Sequence, residues 1–481
     1  MKVKIYFKVI FLIVFLIFLS SCATNPVTGK KELMLISEGQ EIAIGKKSDV
    51  EIRDEYSVYK YKDLNEYVSS VGKKLLKYVH RKNLKYKFTI LDTPVVNAFA
   101  IPGGYVYVTR GILAFLNNEA QLASVLGHEL GHVNARHSAN MISKQILFNL
   151  GVGIGYAVSK EFRKYAGLVL IGGNLLFLKF SRNDEYQADE LGVEYATLSG
   201  YDTNEMAKFF ETLNKLSHSQ KYSLPEFLST HPSPPHRIEK VKLLTKQWQK
   251  KSGFKKFIIA KKRYLAHIDG ILFGKDKRNG YVENNNYYHP NLRFTFKFPK
   301  GWKLTDTRKF ILLTNKKDKN IQVLITLTND NIDRAVTKFL KKTKGLILSY
   351  KDIYINALKA VRIVQNIKIK GKYFVSQSYF IDFNNKTFIF NGISPLLFYK
   401  VYSNQMSLPA TTFKKLKNAK KINVKNLYVK VVEVKNYITL KSLLLDYHVK
   451  EELFNKIALI NNLSLNSHLQ KGDLIKILID K

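Results

Sequence analysis

The spacing of apolar residues divides the chain into stretches of different period. Residues 9–19 form an unbroken apolar run behind Lys2, Lys4 and Lys8. Residues 24–33 carry Pro26 and Gly29 and predict a turn-rich linker without regular structure. Ser37 with Gln40 has the reciprocal spacing of a capping box and predicts the start of a short helix. Asp63 with Glu66 predicts a second helix start, after which Leu64, Val68, Val71, Leu75 and Val79 recur along one face. Alternation over 85–91, 97–101 and 105–109 predicts strands, the last two forming a hairpin closed by Pro102-Gly103-Gly104. Those glycines would let an extended substrate backbone approach an edge strand, or simply close a structural turn. Asn117 or Asn118 can cap the next helix, with Glu119 at its positive end and Leu122, Val125, Leu126 and Leu130 as its apolar stripe.

Further on, residues 146–158 and 166–180 are apolar, glycine-punctuated and separated by a charged turn at 160–164. Each is shorter than the roughly 20 residues that cross a bilayer, so a helical hairpin is expected, buried or resting on a membrane and placed as a lid. Residues 203–216 and 233–250 read as amphipathic helices. Beyond residue 250, stretches 294–298, 321–327, 361–369, 373–381 and 386–390 read as strands and 333–342 as a helix. The tail runs strand 429–434, helices 440–445 and 452–459, strand 474–478. The expected fold is multidomain: a mainly α-helical domain with a small antiparallel sheet over 22–250, an α+β accessory domain over 255–420, and a βααβ tail over 428–481.

Composition changes this picture in two places. A length of 481 residues, 46% hydrophobic and 24% charged, suits a globular chain of two to four domains. The net charge of +40 comes from lysines spread along the whole length among Asn and Ile rather than gathered in a patch, so nucleic acid is not expected as a partner. The early apolar run behind three lysines is of signal-peptide length and assigns 1–21 to secretion. It ends at Leu19-Ser20-Ser21-Cys22, which resembles the bacterial lipoprotein cleavage box. Cys22 is the sole cysteine and has no disulfide partner. The resemblance implies a lipidated Cys22, a membrane as partner and a cell-envelope location, with Ala23 favouring the periplasmic face of the outer membrane.

The chemistry centres on Gly127-His128-Glu129-Leu130-Gly131-His132. In this H-E-x-x-H pattern two imidazoles share one helical face and can hold one cation, with Glu129 beside it. Two hydrogen-bonded core histidines would give the same spacing. The metzincin extension is excluded, because Ala135 and Ser138 stand where it needs Gly and His. A carboxylate from a later helix is the remaining standard third ligand. Glu185-Tyr186-Gln187-Ala188-Asp189 offers Glu185 for that place and Asp189, one turn on, to accept the free N–H of a ligand histidine. His137 lies outside the i, i+4 relation and is expected at the surface or behind a ligand.

These motifs, with Ser229-Thr230-His231-Pro232 and Arg237-Ile238, resemble the gluzincin metallopeptidases that include the CAAX prenyl endopeptidases, HtpX and the periplasmic BepA-type proteases. The resemblance covers about 22–250. It implies one Zn2+ held by His128, His132 and Glu185, with Glu129 as general base, and Asp189 and His231 close to the reaction. It places Arg237 as a residue that orients a carboxylate. It also implies an endopeptidase acting on misfolded or misassembled envelope proteins; the alternative is a non-catalytic, peptidoglycan-associated scaffold or chaperone-like lipoprotein that keeps the zinc fold. The tail resembles a LysM module, which implies peptidoglycan as a partner, although Lys435-Asn436-Tyr437-Ile438 replaces its usual Gly-Asp-Thr turn and packing alone is an equal reading.

Overall fold

A computed structural model describes residues 22–154, 180–217, 226–231 and 236–481. The signal segment, residues 155–179 and the Pro232–Pro235 turn lie outside the described residues, and with them most of the expected helical hairpin and lid. Among the described residues no helix is long and apolar enough to cross a membrane. The chain divides into two compact units, one running to Lys275 and resumed at Leu427–Lys481, the other Asp276–Asn426.

In the first unit the expected linker is instead an ordered hairpin, Cys22–Thr24 antiparallel to Lys31–Leu33. The Asn25 side chain accepts from the Val27 amide at 2.9 Å and donates to Glu32 at 2.8 Å, so the turn is held by local bonds that an apolar-period reading does not detect. The Ser37–Gln40 capping box forms, but its helix is long, Glu38–Tyr56. It extends because one face docks: Gly45 meets the Pro102 backbone and Asp49 accepts from the Tyr107 hydroxyl at 2.6 Å. Helix Lys62–Leu75 buries Leu64, Val68, Val71 and Leu75 as expected. Its N-cap is Tyr61 without a side-chain bond, so the Asp63/Glu66 box does not form; Glu66 pairs in solvent with Lys62.

The small sheet is mixed rather than antiparallel. Tyr105–Thr109 lies in the middle, parallel to Lys87–Leu91 and antiparallel to Ala98–Ile101, because the chain loops past the central position before returning to it. Gly103 and Gly104 both have positive φ, and a Cβ on Gly103 would sit 3.2 Å from Ile42 Cα. These glycines therefore serve the turn and its packing on helix Glu38–Tyr56. The motif helix, Glu119–Asn134, runs through the centre of the unit with all of its residues buried. Asn118 is its cap, accepting from the Gln121 amide at 2.9 Å. Glu119 complements the helix dipole and also accepts from Tyr67 and Tyr201 at 2.8 Å each while pairing with Arg263, tying three other segments to this end.

The tail has the expected strand-helix-helix-strand order, with Leu427–Glu433 paired to Leu474–Asp480 around helices Leu440–Asp446 and Phe454–Ile460. It is not a third unit, however. Leu427–Glu433 also pairs with Leu272–Phe273, and its apolar residues join the core that contains Leu113 and Leu126. Lys476 is fully buried, donating to the Ala114 and Leu116 carbonyls at 2.8 Å each. Burial holds its pKa well below the ordinary lysine value, so over the interval between the two values the unfolded chain binds the extra proton. Relative to Lys476→Met, the wild-type protein should therefore gain stability as pH rises toward about 10. Urea unfolding at a series of pH values checks this; a flat difference would contradict it.

The second unit is built on a seven-stranded antiparallel sheet in the order Trp302–Asp306, Ile311–Asn315, Gln322–Thr328, Thr387–Pro395, Lys372–Asp382, Leu358–Ile369, Leu346–Ile355. Helix Ile332–Thr343 packs on one face through Ala335 and Val336 against Ile363 and Phe380. Met406 and Ala410 of helix Tyr399–Thr411 join Tyr379 and Phe390 in a separate core. Adjacent residues Tyr379 and Phe380 thus enter different cores, as strand alternation requires.

Candidate metal centre

Two helices bring the motifs together by backbone contact. A Cβ on Gly127 would lie 2.9 Å from the Gly192 carbonyl oxygen, one on Gly131 2.9 Å from that of Ala188, and one on Gly192 2.8 Å from the His128 nitrogen. The motif helix and helix Arg182–Leu198 can approach this closely only with glycine at the crossing. Ser181 starts the second helix with a capping box to Asp184, which sets Glu185 in its first turn, facing the motif histidines. His231 follows the short helix Glu226–Thr230, and Arg237 opens helix Arg237–Ser252.

His128, His132, Glu185 and His231 are all buried, and one donor atom from each lies within 4.8 Å of the others. His128 Nε2 is 3.1 Å from His132 Nε2 and 3.3 Å from His231 Nδ1; Glu185 Oε1 is 3.0 Å from His231 Nδ1 and 3.5 Å from His132 Nε2. Zinc binds imidazole nitrogen at about 2.0–2.1 Å in a tetrahedron, which separates neighbouring donors by about 3.3 Å. The residues present therefore fit a zinc ion in both chemistry and spacing. Facing imidazole lone pairs at 3.1 Å would repel without a cation or a proton between them.

Each motif histidine is oriented from behind. Asp189 Oδ1 accepts from His128 Nδ1 at 2.9 Å, which leaves the Nε2 lone pair facing the cluster. Arg237 holds Asp189 with two bonds, 2.7 and 2.6 Å, and reaches Glu185 Oε2 at 3.0 Å. Burial raises the pKa of Asp189, but Arg237 and His128 outweigh it and keep the carboxylate below its ordinary value. Burial likewise opposes ionisation of Glu185, and His231, His128 and Arg237 overcome it. His132 is oriented through a second histidine: its Nδ1 lies 2.9 Å from His137 Nδ1, and His137 Nε2 lies 2.9 Å from Gln187 Oε1, with Asp184 Oδ1 3.7 Å away. With the amide oxygen accepting, His137 presents a lone pair to His132 Nδ1–H, and the His132 Nε2 lone pair again points inward.

His137 is thus buried behind a candidate ligand, and Gln187, inside the E-Y-Q-A-D motif but without an assigned role, completes the chain. Replacing Gln187 with Met should weaken zinc retention about tenfold, the usual scale for a partner behind a ligand, whereas Gln187→Glu should preserve it. Chelator competition measures this; equal loss in both variants would mean the amide acts only by packing.

Glu129 is fully buried beside the cluster, with Oε1 3.6 Å from His231 Nε2. Neither of its carboxylate oxygens has a hydrogen-bond partner among the described residues. Burial raises its pKa, offset in part by His231 and His128; the Ala100 amide of the edge strand gives further help without meeting hydrogen-bond geometry. A buried, unpartnered carboxylate is costly, and its persistence beside four donor atoms suits a group that handles protons.

Residues 62–245 match the model of peptidase family M48. This stretch is an M48 peptidase domain. It contains all the residues of the cluster. The chain is 30% identical over 232 residues to the beta-barrel assembly-enhancing protease of Escherichia coli K12, covering 46% of this chain and 47% of that protein. It is 31% identical over 219 residues to the mitochondrial metalloendopeptidase OMA1 of Schizosaccharomyces pombe, covering 45% and 64%, and 34% identical over 158 residues to OMA1 of Arabidopsis thaliana, covering 33% and 31%. The chain spans about half the length of the bacterial curated relatives it matches.

Proposed function

We propose that the M48 domain is a zinc-dependent metalloendopeptidase that cleaves proteins of the cell envelope. The observation that carries this is the unpartnered Glu129 carboxylate next to four converging donors, since a purely structural zinc site has no use for a base. His128, His132 and Glu185 would hold the ion. Zinc supplies Lewis acidity, which makes water a competent nucleophile at neutral pH and polarises the peptide carbonyl. Glu129 takes the proton of the attacking water on its carboxylate and delivers it to the leaving amine nitrogen as the C–N bond breaks. Burial strengthens Glu129 as a base, which favours the first of these transfers. His231, whose donor atom lies within 4.8 Å of the other three, would have to withdraw before water and substrate could reach a bound ion. Asp189 and Arg237 keep His128 in the tautomer that faces the ion.

The similarity to a beta-barrel assembly-enhancing protease supports misassembled envelope proteins as substrates, and the Leu19–Cys22 box supports attachment to the periplasmic face of the outer membrane through lipidated Cys22. The apolar residues the tail shares with the M48 core support packing as its role rather than a separate hold on peptidoglycan. Metal analysis with a casein cleavage assay tests the proposal. About one zinc per chain and activity abolished by a chelator are expected, with His128→Ala losing both metal and cleavage. Zinc retained by His128→Ala would refute the ligand set.

A further inference from the structure

One end of the seven-stranded sheet in Asp276–Asn426 carries apolar side chains that this unit leaves uncovered. The register aligns Leu346 with Asn366, Asn366 with Val375, and Val375 with Ser394. The start of strand Leu346–Ile355, the turn between Ile369 and Lys372, and the segment following Pro395 therefore lie at the same end. Exposed there are Leu346 at 70%, Tyr373 at 62%, Leu397 at 88%, and Leu396, Phe398 and Val401. A single 3-10 turn, Leu396–Phe398, holds three consecutive large apolar residues in solvent at the entrance to helix Tyr399–Thr411. Scattered exposed hydrophobics are ordinary, but a cluster of this kind on one tip marks a contact surface.

The charge around the tip indicates what it contacts. Residues 342–349, 366–374 and 394–404 contain Lys342, Lys344, Lys368, Lys370, Lys372 and Lys400 and neither Asp nor Glu. All six lysines are exposed. Across the whole chain 78 Lys and Arg stand against 38 Asp and Glu, so six cations with no anion exceeds the general bias. Lysine is depleted at protein–protein interfaces, whereas apolar side chains bordered by lysine suit the boundary between acyl chains and anionic headgroups.

We propose that this tip docks on an anionic phospholipid surface, with Leu396, Leu397, Phe398 and Val401 entering the interface and the six lysines lying over the phosphates. The surface is independent of the peptidase reading. To test it, the chain from residue 22 carrying Cys22→Ser, which has no attached lipid, is sedimented with vesicles rich in phosphatidylglycerol or made of phosphatidylcholine. Wild-type binding should favour the anionic vesicles by about tenfold or more, because lysines near such a surface are attracted to its phosphates. The triple variants Leu396→Ser/Leu397→Ser/Phe398→Ser and Lys368→Glu/Lys370→Glu/Lys372→Glu should each lower that binding by about tenfold or more, with zinc content and cleavage of a soluble peptide unchanged. In the same Cys22→Ser background, Leu397→Cys gives a single site for an environment-sensitive fluorophore, whose emission should shift to the blue on anionic vesicles. Equal sedimentation of wild type and both triple variants, or vesicle binding with no emission shift, would overturn the proposal. Retention of an acidic soluble protein in place of any vesicle binding would overturn it as well.

Discussion

Glu129→Gln is expected to keep its zinc and lose about a thousandfold in kcat on a peptide substrate, within the range assigned to a positioned general base. The amide keeps the shape of the carboxylate and removes only its ability to accept and return a proton. The Glu129 carboxylate makes no hydrogen bond among the described residues, so the change should leave the fold intact and be read directly in turnover. A buried carboxylate with a raised pKa is destabilising in the resting protein, so Glu129→Gln should melt at the same temperature as wild type or slightly higher. Unaltered kcat with normal zinc content would remove Glu129 from the chemistry. Lost zinc would show instead that it helps to hold the ion.

Arg237→Met should lower stability by about 3–5 kcal/mol, the cost of leaving buried carboxylates without their cation. Arg237 is 1% exposed and its guanidinium is shared between Asp189 and Glu185, both buried. The loss should be larger after chelation, because bound zinc would neutralise Glu185 and its removal would leave both carboxylates without a cation. Arg237→Lys should recover only part of the stability, since an ammonium cannot make the paired bonds to Asp189. Urea unfolding with and without zinc measures both terms; a loss within about 1 kcal/mol in either state would show that the pair is not needed to hold the site.

Much of the first unit is legible from local pattern. Ser37 and Gln40, the Lys62–Leu75 stripe and the Asn118 cap are contacts between residues a few positions apart, and they form as their spacing predicts. Asp63 and Glu66 have equally good spacing and fail, because Tyr61 takes the cap position and Glu66 faces solvent. In the second unit, strand Leu346–Ile355 escapes detection because it is an edge strand exposed along most of its length, which removes the contrast between its faces. Helix Tyr399–Thr411 is hidden by Pro409 and by its run of Ser and Asn.

The metal site divides in the same way. By itself the sequence determined which side chains share a face: His128 and His132 one turn apart, Glu185 and Asp189 one turn apart, and Glu129 beside the first histidine, because helical period alone puts such pairs together. The tertiary structure alone decided that Gly127, Gly131 and Gly192 let the two helices touch, and that His231, 103 residues from His128, comes within 3.3 Å of it. It also decided that Arg237 clamps Asp189, that Gln187 and His137 orient His132, and that the tail belongs to the peptidase core. These are contacts between segments far apart in the chain, and they follow from how complete elements pack rather than from any period within one of them.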